Sequence, residues 1–360
     1  MERTRKRMCY IKRKLAIIIA ITIIVNILAS LHFKQPLCYE QQDQKRIIQS
    51  KKQFLYLVQT KECLPDNLLQ TPVLGDANTA DVLVLSFKRE CKYNKNMKHV
   101  IYIYSQDKGT TWESGRNYLY TYAKEHLETY TYYVFMDDDL DFFVTKSKFL
   151  QESLLQQVQQ SDVSILRQFE DFLLRSKPAL SAPFRINYSP DDDPYDIIEC
   201  CLGNYNVTAQ WNLSEKVPMI RFDECFIAIH KDAVDHIMPI ITKYEHIDLW
   251  GSCKYFHMKA YFMFRKQMSR FTPMTVYNKR HTPYLQNIVT YQDVISDILL
   301  KTPNEFREKP IFLNAKRGLA EKDVQTYIMV DPRKPPFQLA PIEDPITPWK
   351  YIDILENESR

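Results

Sequence analysis

The chain is short of glycine, with 6 residues in 360, and it has no internal repeat, no CxxC pair and no zinc-type ligand spacing. With 45% hydrophobic and 13% aromatic residues, this is the composition of a folded protein, long enough for one large domain or two small ones. The cysteine spacing discounts a zinc site. Strong charge of one sign is also missing. The net charge is +4, and much of the excess lies in the first fourteen residues, where Arg3, Arg5, Lys6, Arg7, Lys12, Arg13 and Lys14 stand against Glu2. The remainder is close to neutral, so nothing suggests a nucleic-acid groove. His230 and His236 form no HExxH motif. "GTTWESGRN" fails as a phosphate-binding P-loop, because five residues separate Gly109 from Gly115 and Arg116–Asn117 replaces the Lys-Ser/Thr pair.

One long apolar run is present. Leu15 to Leu31 carries no charge, and His32 and Phe33 extend it to nineteen residues, the short end of a membrane span. A cleavable signal peptide is the rival reading. The run exceeds a usual signal core and no small-x-small site follows it, which favours an uncleaved anchor. The positive-inside rule puts residues 1–14 in the cytosol and the chain after Phe33 in a lumen, and a short span suits thin ER or Golgi membranes. The expectation is a single-pass type II membrane protein. Sequons at Asn187, Asn206, Asn212 and Asn357 fit a lumenal glycoprotein, although four arise easily by chance. Seven cysteines (Cys38, Cys63, Cys91, Cys200, Cys201, Cys225, Cys253) fall on the lumenal side, where disulfides form. An odd number leaves one unpaired or intermolecular, and Cys38 is placed to link two chains as a homodimer.

Residues 34–75 are polar and irregular and read as a stem. A folded domain over 76–330 follows, then a Pro-rich tail, 331–360. Strands are expected at 81–87, 99–105, 131–136 and 179–188, with a long strand or hairpin at 219–230 and another strand at 270–276. Helices are expected over 110–128, capped by Ser114, and over 145–160, opened by Thr145. Further helices are expected over 231–244, 248–264 and 290–302. This alternation predicts an α/β domain with a mixed, mostly parallel sheet flanked by helices, in which ligands bind beyond the carboxyl ends of the strands.

The third of those strands, "YYVFM", runs into Asp137, Asp138 and Asp139. On extended backbone Asp137 and Asp139 point one way and Asp138 the other. Two carboxylates on one side suit a hard divalent cation, Mg²⁺ or Mn²⁺, or the phosphates it carries; the alternative is an acidic loop tip capping the next helix. A dehalogenase-type nucleophile is disfavoured, because Asp141 stands where Thr or Val belongs. A second triple, Asp191–Asp193, is flanked by prolines and reads as a turn, either solvated or lining an acceptor site.

"YYVFMDDD" resembles the DxD motif of GT-A glycosyltransferases, the nucleotide-diphospho-sugar transferase superfamily, and the anchor, stem and lumenal domain resemble its type II Golgi members. The resemblance covers roughly residues 78–300. It implies a Rossmann-type GT-A fold and a Golgi or ER enzyme that moves a sugar from a nucleoside-diphosphate sugar, a UDP-sugar first, to a glycan, protein or lipid acceptor. By that resemblance Lys108, Arg116, Asp137 and Asp138 face the nucleotide or diphosphate, and Asp137, Asp139 and a late histidine, His281, hold Mn²⁺ or Mg²⁺. Arg116 as a solvated helix residue and His281 as a structural histidine are the alternatives. An inverting member needs a carboxylate base with a pKa raised by partial burial. Asp223, Glu224 and Asp248 are the candidates, each with a structural role as its alternative. Trp250 either stacks on a sugar or fills core. The rival functions are a catalytically inactive GT-A-like binding protein and a metal-dependent hydrolase.

Overall fold

The computed structural model describes residues 52–92, 97–105, 110–146, 150–186, 213–219, 222–245, 247–264, 267–279 and 288–301. The chain divides into two units, 1–49 and 50–360, and the elements below belong to the second. The apolar run at 15–33, Lys108, Asp191–Asp193, His281, the four sequons and the Pro-rich tail lie outside the described residues. Among the described residues no helix is long and apolar enough to cross a membrane.

Among the described residues nine strands form one sheet: β1 (Phe54–Thr60), β2 (Ala80–Ser86), β3 (Val100–Tyr104), β4 (Tyr132–Asp137), β5 (Leu140–Val144), β6 (Leu180–Ile186), β7 (Lys216–Pro218), β8 (Phe226–His230) and β9 (Met268–Asn278). Their order is β3-β2-β1-β4-β8-β6-β9-β5, with β7 also on β9. The β3-β2-β1-β4 half is parallel throughout. β8 then runs antiparallel to both β4 and β6, β9 parallel to β6, and β5 and β7 antiparallel to β9. The helices are α1 (Trp112–His126), α2 (Glu152–Gln159), α3 (Ile165–Ser176), α4 (Lys231–Ile237), α5 (Leu249–Phe264) and α6 (Tyr291–Lys301).

The two faces of the sheet follow from the period-2 alternation of strand side chains. Leu55, Leu57, Leu83, Leu85, Tyr133 and Phe135 pack with Leu119 and Ala123 of α1, Val234 of α4 and Phe256 of α5. Their neighbours Tyr56, Val58, Val82, Val84, Val134 and Met136 pack with Leu166, Phe169, Phe172 and Leu173 of α3. Helices therefore cover both faces, which is why the central strands are apolar at consecutive positions rather than alternate ones.

Several expectations need correction. The segment read as a stem contains β1, which lies inside the sheet between β2 and β4, so the folded domain begins near residue 53. The cap of α1 is Thr111, whose hydroxyl accepts from Ser114 N, while the Ser114 hydroxyl accepts from Thr111 N, a reciprocal capping box. Thr145 follows strand β5 instead of opening a helix: its backbone N–H donates to Pro273 O, and α2 starts at Glu152. Helix α3, capped by Ser164, was not anticipated. The expected helix over 231–244 stops at Ile237, just ahead of Pro239, whose ring cannot continue it.

Candidate functional site

Strand direction gathers the charged residues at one end of the sheet. β1 and β4 are parallel neighbours, and the connection order reverses between them, the switch point at which open α/β sheets leave a crevice beyond the carboxyl ends. Gln59 and Thr60 end β1, and Asp137 ends β4. Because β8 is antiparallel to β4, its entry segment Asp223–Glu224–Cys225 arrives at the same place, and Asp137 N donates to Cys225 O at 2.9 Å. β6 and β9 run parallel to each other, so Arg185, Asn278 and Lys279 reach that end too. The N-terminus of α1 brings Thr111 and Trp112, and that of α5 brings Trp250 and Cys253. Together these residues line a cleft of about 400 Å³, within the size range of small-ligand sites. Its rim includes Lys61, Pro65, Asn67 and Phe87, from the loops after β1 and β2 that the Cys63–Cys91 disulfide joins.

Five carboxylates (Asp137, Asp138, Asp139, Asp223, Glu224) and three cationic side chains (Lys61, Arg185, Lys279) line this cleft. Counting the buried Arg116 behind Asp137 as a fourth cation still leaves a surplus of negative charge. Asp137, 28% exposed, accepts from Arg116 Nη2 at 2.9 Å. Burial raises its pKa to about 6; Arg116 opposes that rise, while Asp139 and Asp138 add to it. Asp138 Oδ2 accepts from the Thr60 hydroxyl at 2.7 Å, and Asp139 O accepts from Lys279 N at 3.2 Å. Lys279 also pairs with Asp141. Contrary to the alternation expected of a straight strand, all three aspartates line the cleft, because the chain turns at 138–139 into β5.

A divalent ion is implied by the DxD-like motif, and the donor chemistry here suits one: the Asp137–Asp139 turn offers only hard oxygens. Among the described residues no group of three or more His, Cys, Asp and Glu side chains is poised to hold a metal. Such an ion would therefore be held from one side by Asp137 and Asp139, leaving the rest of its shell to phosphate and water oxygens.

Arg116 is not a direct cleft contact. Its side chain is 2% exposed, its guanidinium lies 4.0 Å over the Trp112 ring, and its Nη1 has no hydrogen-bond partner among the described residues. It acts on the cleft through Asp137. The other wall is also buried and polar. Glu224, 5% exposed, lies 2.6 Å from His257 Nε2 on α5. The two fall short of a well-formed hydrogen bond, and the contact is an ion pair when the imidazole carries a proton. Burial alone would raise the Glu224 carboxyl; His257, with Arg116 behind it, outweighs burial and holds the carboxyl below its ordinary value. Glu113, in the first turn of α1, is fully buried with neither carboxyl oxygen in a well-formed hydrogen bond among the described residues. Burial pushes the Glu113 pKa up to about 7, against the opposing pull of its own backbone N–H and of the Ser252 hydroxyl.

The three candidate bases separate clearly. Asp248 is buried, and both its oxygens are taken by backbone: Oδ1 accepts from Trp250 N, and Oδ2 from Ile288 N and Val289 N at 3.0 and 2.9 Å. It caps α5, pins the 288–289 segment and lines no part of the cleft, which removes it as a base. Glu224 lines the cleft, but with a lowered pKa rather than the raised one a base needs. Asp223, 16% exposed, lines the cleft, pairs with Arg185 and accepts from Cys225 N at 2.9 Å. Sequence reading passed over Arg185, Glu113 and His257. Only the Trp112–Arg116 pair carried a local signal, a four-residue spacing that stacks cation on ring in a helix.

No known protein-family profile matches the sequence, and no curated protein matches it. Among solved structures it is similar to residues 1–349 of S. aureus TarS, at 11% identity, covering 78% of this chain and 70% of that one with a TM-score of 0.38. The same protein in complex with UDP-GlcNAc matches at 11% identity over 73% and 72% of the two chains, TM-score 0.37. GalNAc-T7 with UDP, GalNAc and Mn2+ matches at 8% identity over 76% and 55%, TM-score 0.35.

Proposed function

We propose that this chain is a GT-A-type glycosyltransferase that takes a nucleoside-diphosphate sugar, a UDP-sugar first, and transfers the sugar to a glycan, protein or lipid acceptor. One observation carries the reading: an acidic turn with surplus negative charge sits at the β1/β4 switch point, in a cleft whose rim holds Lys61 and Lys279. A cleft that is acidic on its floor and basic on its rim suits a cation bound together with an anion, and a metal–diphosphate is that combination. Asp137 and Asp139 would hold the ion, which supplies charge neutralisation to the departing diphosphate. Arg116, from behind, keeps Asp137 oriented and offsets part of its charge. Asp223 takes the base role, being the most exposed of the three candidate carboxylates and facing the cleft.

The apolar run at 15–33 and the basic tail before it support a type II anchor in the Golgi or ER membrane, with this domain in the lumen. The Cys63–Cys91 disulfide suits that oxidising compartment, and Cys38, in the segment after the anchor, is the residue that would join two chains as a homodimer. One observation favours the inactive binding protein as a second reading: Asp137 and Asp138 already have protein partners in Arg116 and Thr60.

Titration of the full chain with UDP, with and without Mn²⁺, tests the reading. Metal-dependent binding that Asp139→Ala weakens by 100-fold or more is expected, and sugar release or transfer from a panel of nucleotide sugars separates enzyme from binding protein. Nucleotide binding indifferent to Mn²⁺ and to Asp139→Ala would sink the proposal.

A further inference from the structure

Helix α5 aims one face at the inner wall of the cleft. Trp250, Cys253 and His257 follow at three- and four-residue spacing, the spacing of side chains stacked on one face. Trp250 and Cys253 line the cleft with Glu224, and His257 lies 2.6 Å from Glu224. Two atoms of this wall are anomalous. Trp250 Nε1 is a buried donor with no hydrogen-bond partner among the described residues, and Glu224 Oε1 is a buried acceptor whose neighbour His257 Nε2, at 2.6 Å, is out of line for a well-formed hydrogen bond. A buried polar group left in this state is costly, and native proteins rarely tolerate several together without a ligand or water to serve them.

Donor–acceptor arithmetic narrows what would serve them. Indole Nε1–H only donates and an ionised carboxylate only accepts. An amine would satisfy Glu224 and leave the indole unserved. A phosphate or carboxylate would satisfy the indole and be repelled by Glu224. Hydroxyl groups both donate and accept, so a neutral, hydroxyl-rich ring satisfies both without adding charge. The wall is also contiguous with the acidic turn, since Asp137 N is bonded to the carbonyl of Cys225, the residue after Glu224. A group attached to a diphosphate held at that turn would lie against it.

We propose that Glu224 and Trp250 form the subsite that recognises the hydroxyls of the sugar carried by the nucleotide. This rests on the glycosyltransferase reading above and assigns Glu224 to sugar recognition instead of proton abstraction. His257 serves the subsite by keeping Glu224 an ionised acceptor.

The test is calorimetric binding to the full chain with Mn²⁺, comparing UDP with a panel of UDP-hexoses. At least one UDP-hexose should bind wild type tenfold or more tighter than UDP, the scale of a hydrogen bond to a charged group. Glu224→Gln and Trp250→Phe should each erase that increment and leave UDP affinity within about twofold. The Phe variant keeps an aromatic ring in the wall and removes the N–H, so it carries the test should Glu224→Gln fail to fold. An increment that survives Trp250→Phe, or UDP and UDP-hexose affinities that fall together, would overturn the subsite while leaving the nucleotide site standing. If wild type binds no nucleotide at all, the functional reading falls and the subsite with it.

Discussion

The two ends of the parallel strands treat buried carboxylates in opposite ways. At the amino end, Asp81 of β2 is fully buried, and its oxygens are engaged by Lys52 Nζ at 2.6 Å and the Tyr130 hydroxyl at 2.9 Å. On the other face of the sheet, Glu170 of α3 accepts from the Tyr56 hydroxyl at 2.7 Å and from Arg167. At the carboxyl end, among the described residues, Glu113 has both oxygens without a well-formed bond, Glu224 has its His257 neighbour out of line, and Arg116 keeps an Nη1 with no hydrogen-bond partner. Buried charge is expensive unless paired and hydrogen-bonded. The amino end solves that problem within the protein. The carboxyl end leaves it open where the cleft lies, and that contrast locates function more sharply than the number of acids at either end.

The largest expected effect comes from breaking the satisfied end. Asp81→Ala takes the acceptor from the Tyr130 hydroxyl and the carboxylate from the mostly buried Lys52 ammonium, which keeps Ala80 O at 3.3 Å, and removing one partner of a buried pair costs about 3–5 kcal/mol. Urea denaturation should show that loss, while UDP affinity per folded molecule stays at the wild-type value. A drop in affinity at unchanged stability would mean that the two ends are not separable.

The unsatisfied end should respond with the opposite sign. Burial raises Glu113 from 4.5 to about 7. A carboxyl whose folded pKa is raised contributes most to stability below its unfolded pKa, and that contribution is lost as pH rises through the folded value. Wild type should therefore lose on the order of 2–3 kcal/mol between pH 4.5 and pH 8 from this one group. Glu113→Gln, uncharged at every pH, should match wild type near pH 4.5 and exceed it at pH 8 by a similar amount, read as a shift in denaturation midpoint. Equal midpoints at pH 8 would show that Glu113 is better solvated or bonded than its burial implies.

What could be read from sequence follows the range of the signal. The acidic turn was legible because the cue is local: an apolar run ending in aspartates. β1 has an equally apolar core, "FLYLV", yet the lysines on either side and the polar stretch before it made the segment look like stem. The neighbourhood of Asp137 and Glu224 was not legible, since it depends on an antiparallel pairing between strands some ninety residues apart in the chain. Asp248 shows the same limit. An acid just ahead of a helix is a cap signal, but its two bonds to the 288–289 backbone are visible only in three dimensions. The burial of Arg116 likewise depends on Phe135 and Asp137 rising from β4 beneath it.

The smallest expected effect probes how tightly the cleft end is built. A Cβ on Gly115 of α1 would come within 1.8 Å of Gln59 Nε2, the group that donates to Thr111 O at 3.0 Å across the β1–α1 contact. The clash is with the far end of a side chain, so Gly115→Ala can be relieved by rotating Gln59 away and forfeiting that hydrogen bond, about 1 kcal/mol. Alanine also gains about 1 kcal/mol over glycine inside a helix. The two nearly offset, and the denaturation midpoint should stay within about 0.5 kcal/mol of wild type. Gln59 lines the cleft, so its displacement should appear in UDP affinity as a change of a few-fold, with stability unmoved. A large stability loss with no change in affinity would show that the α1–β1 contact is rigid scaffold and that Gln59 contributes nothing to the site.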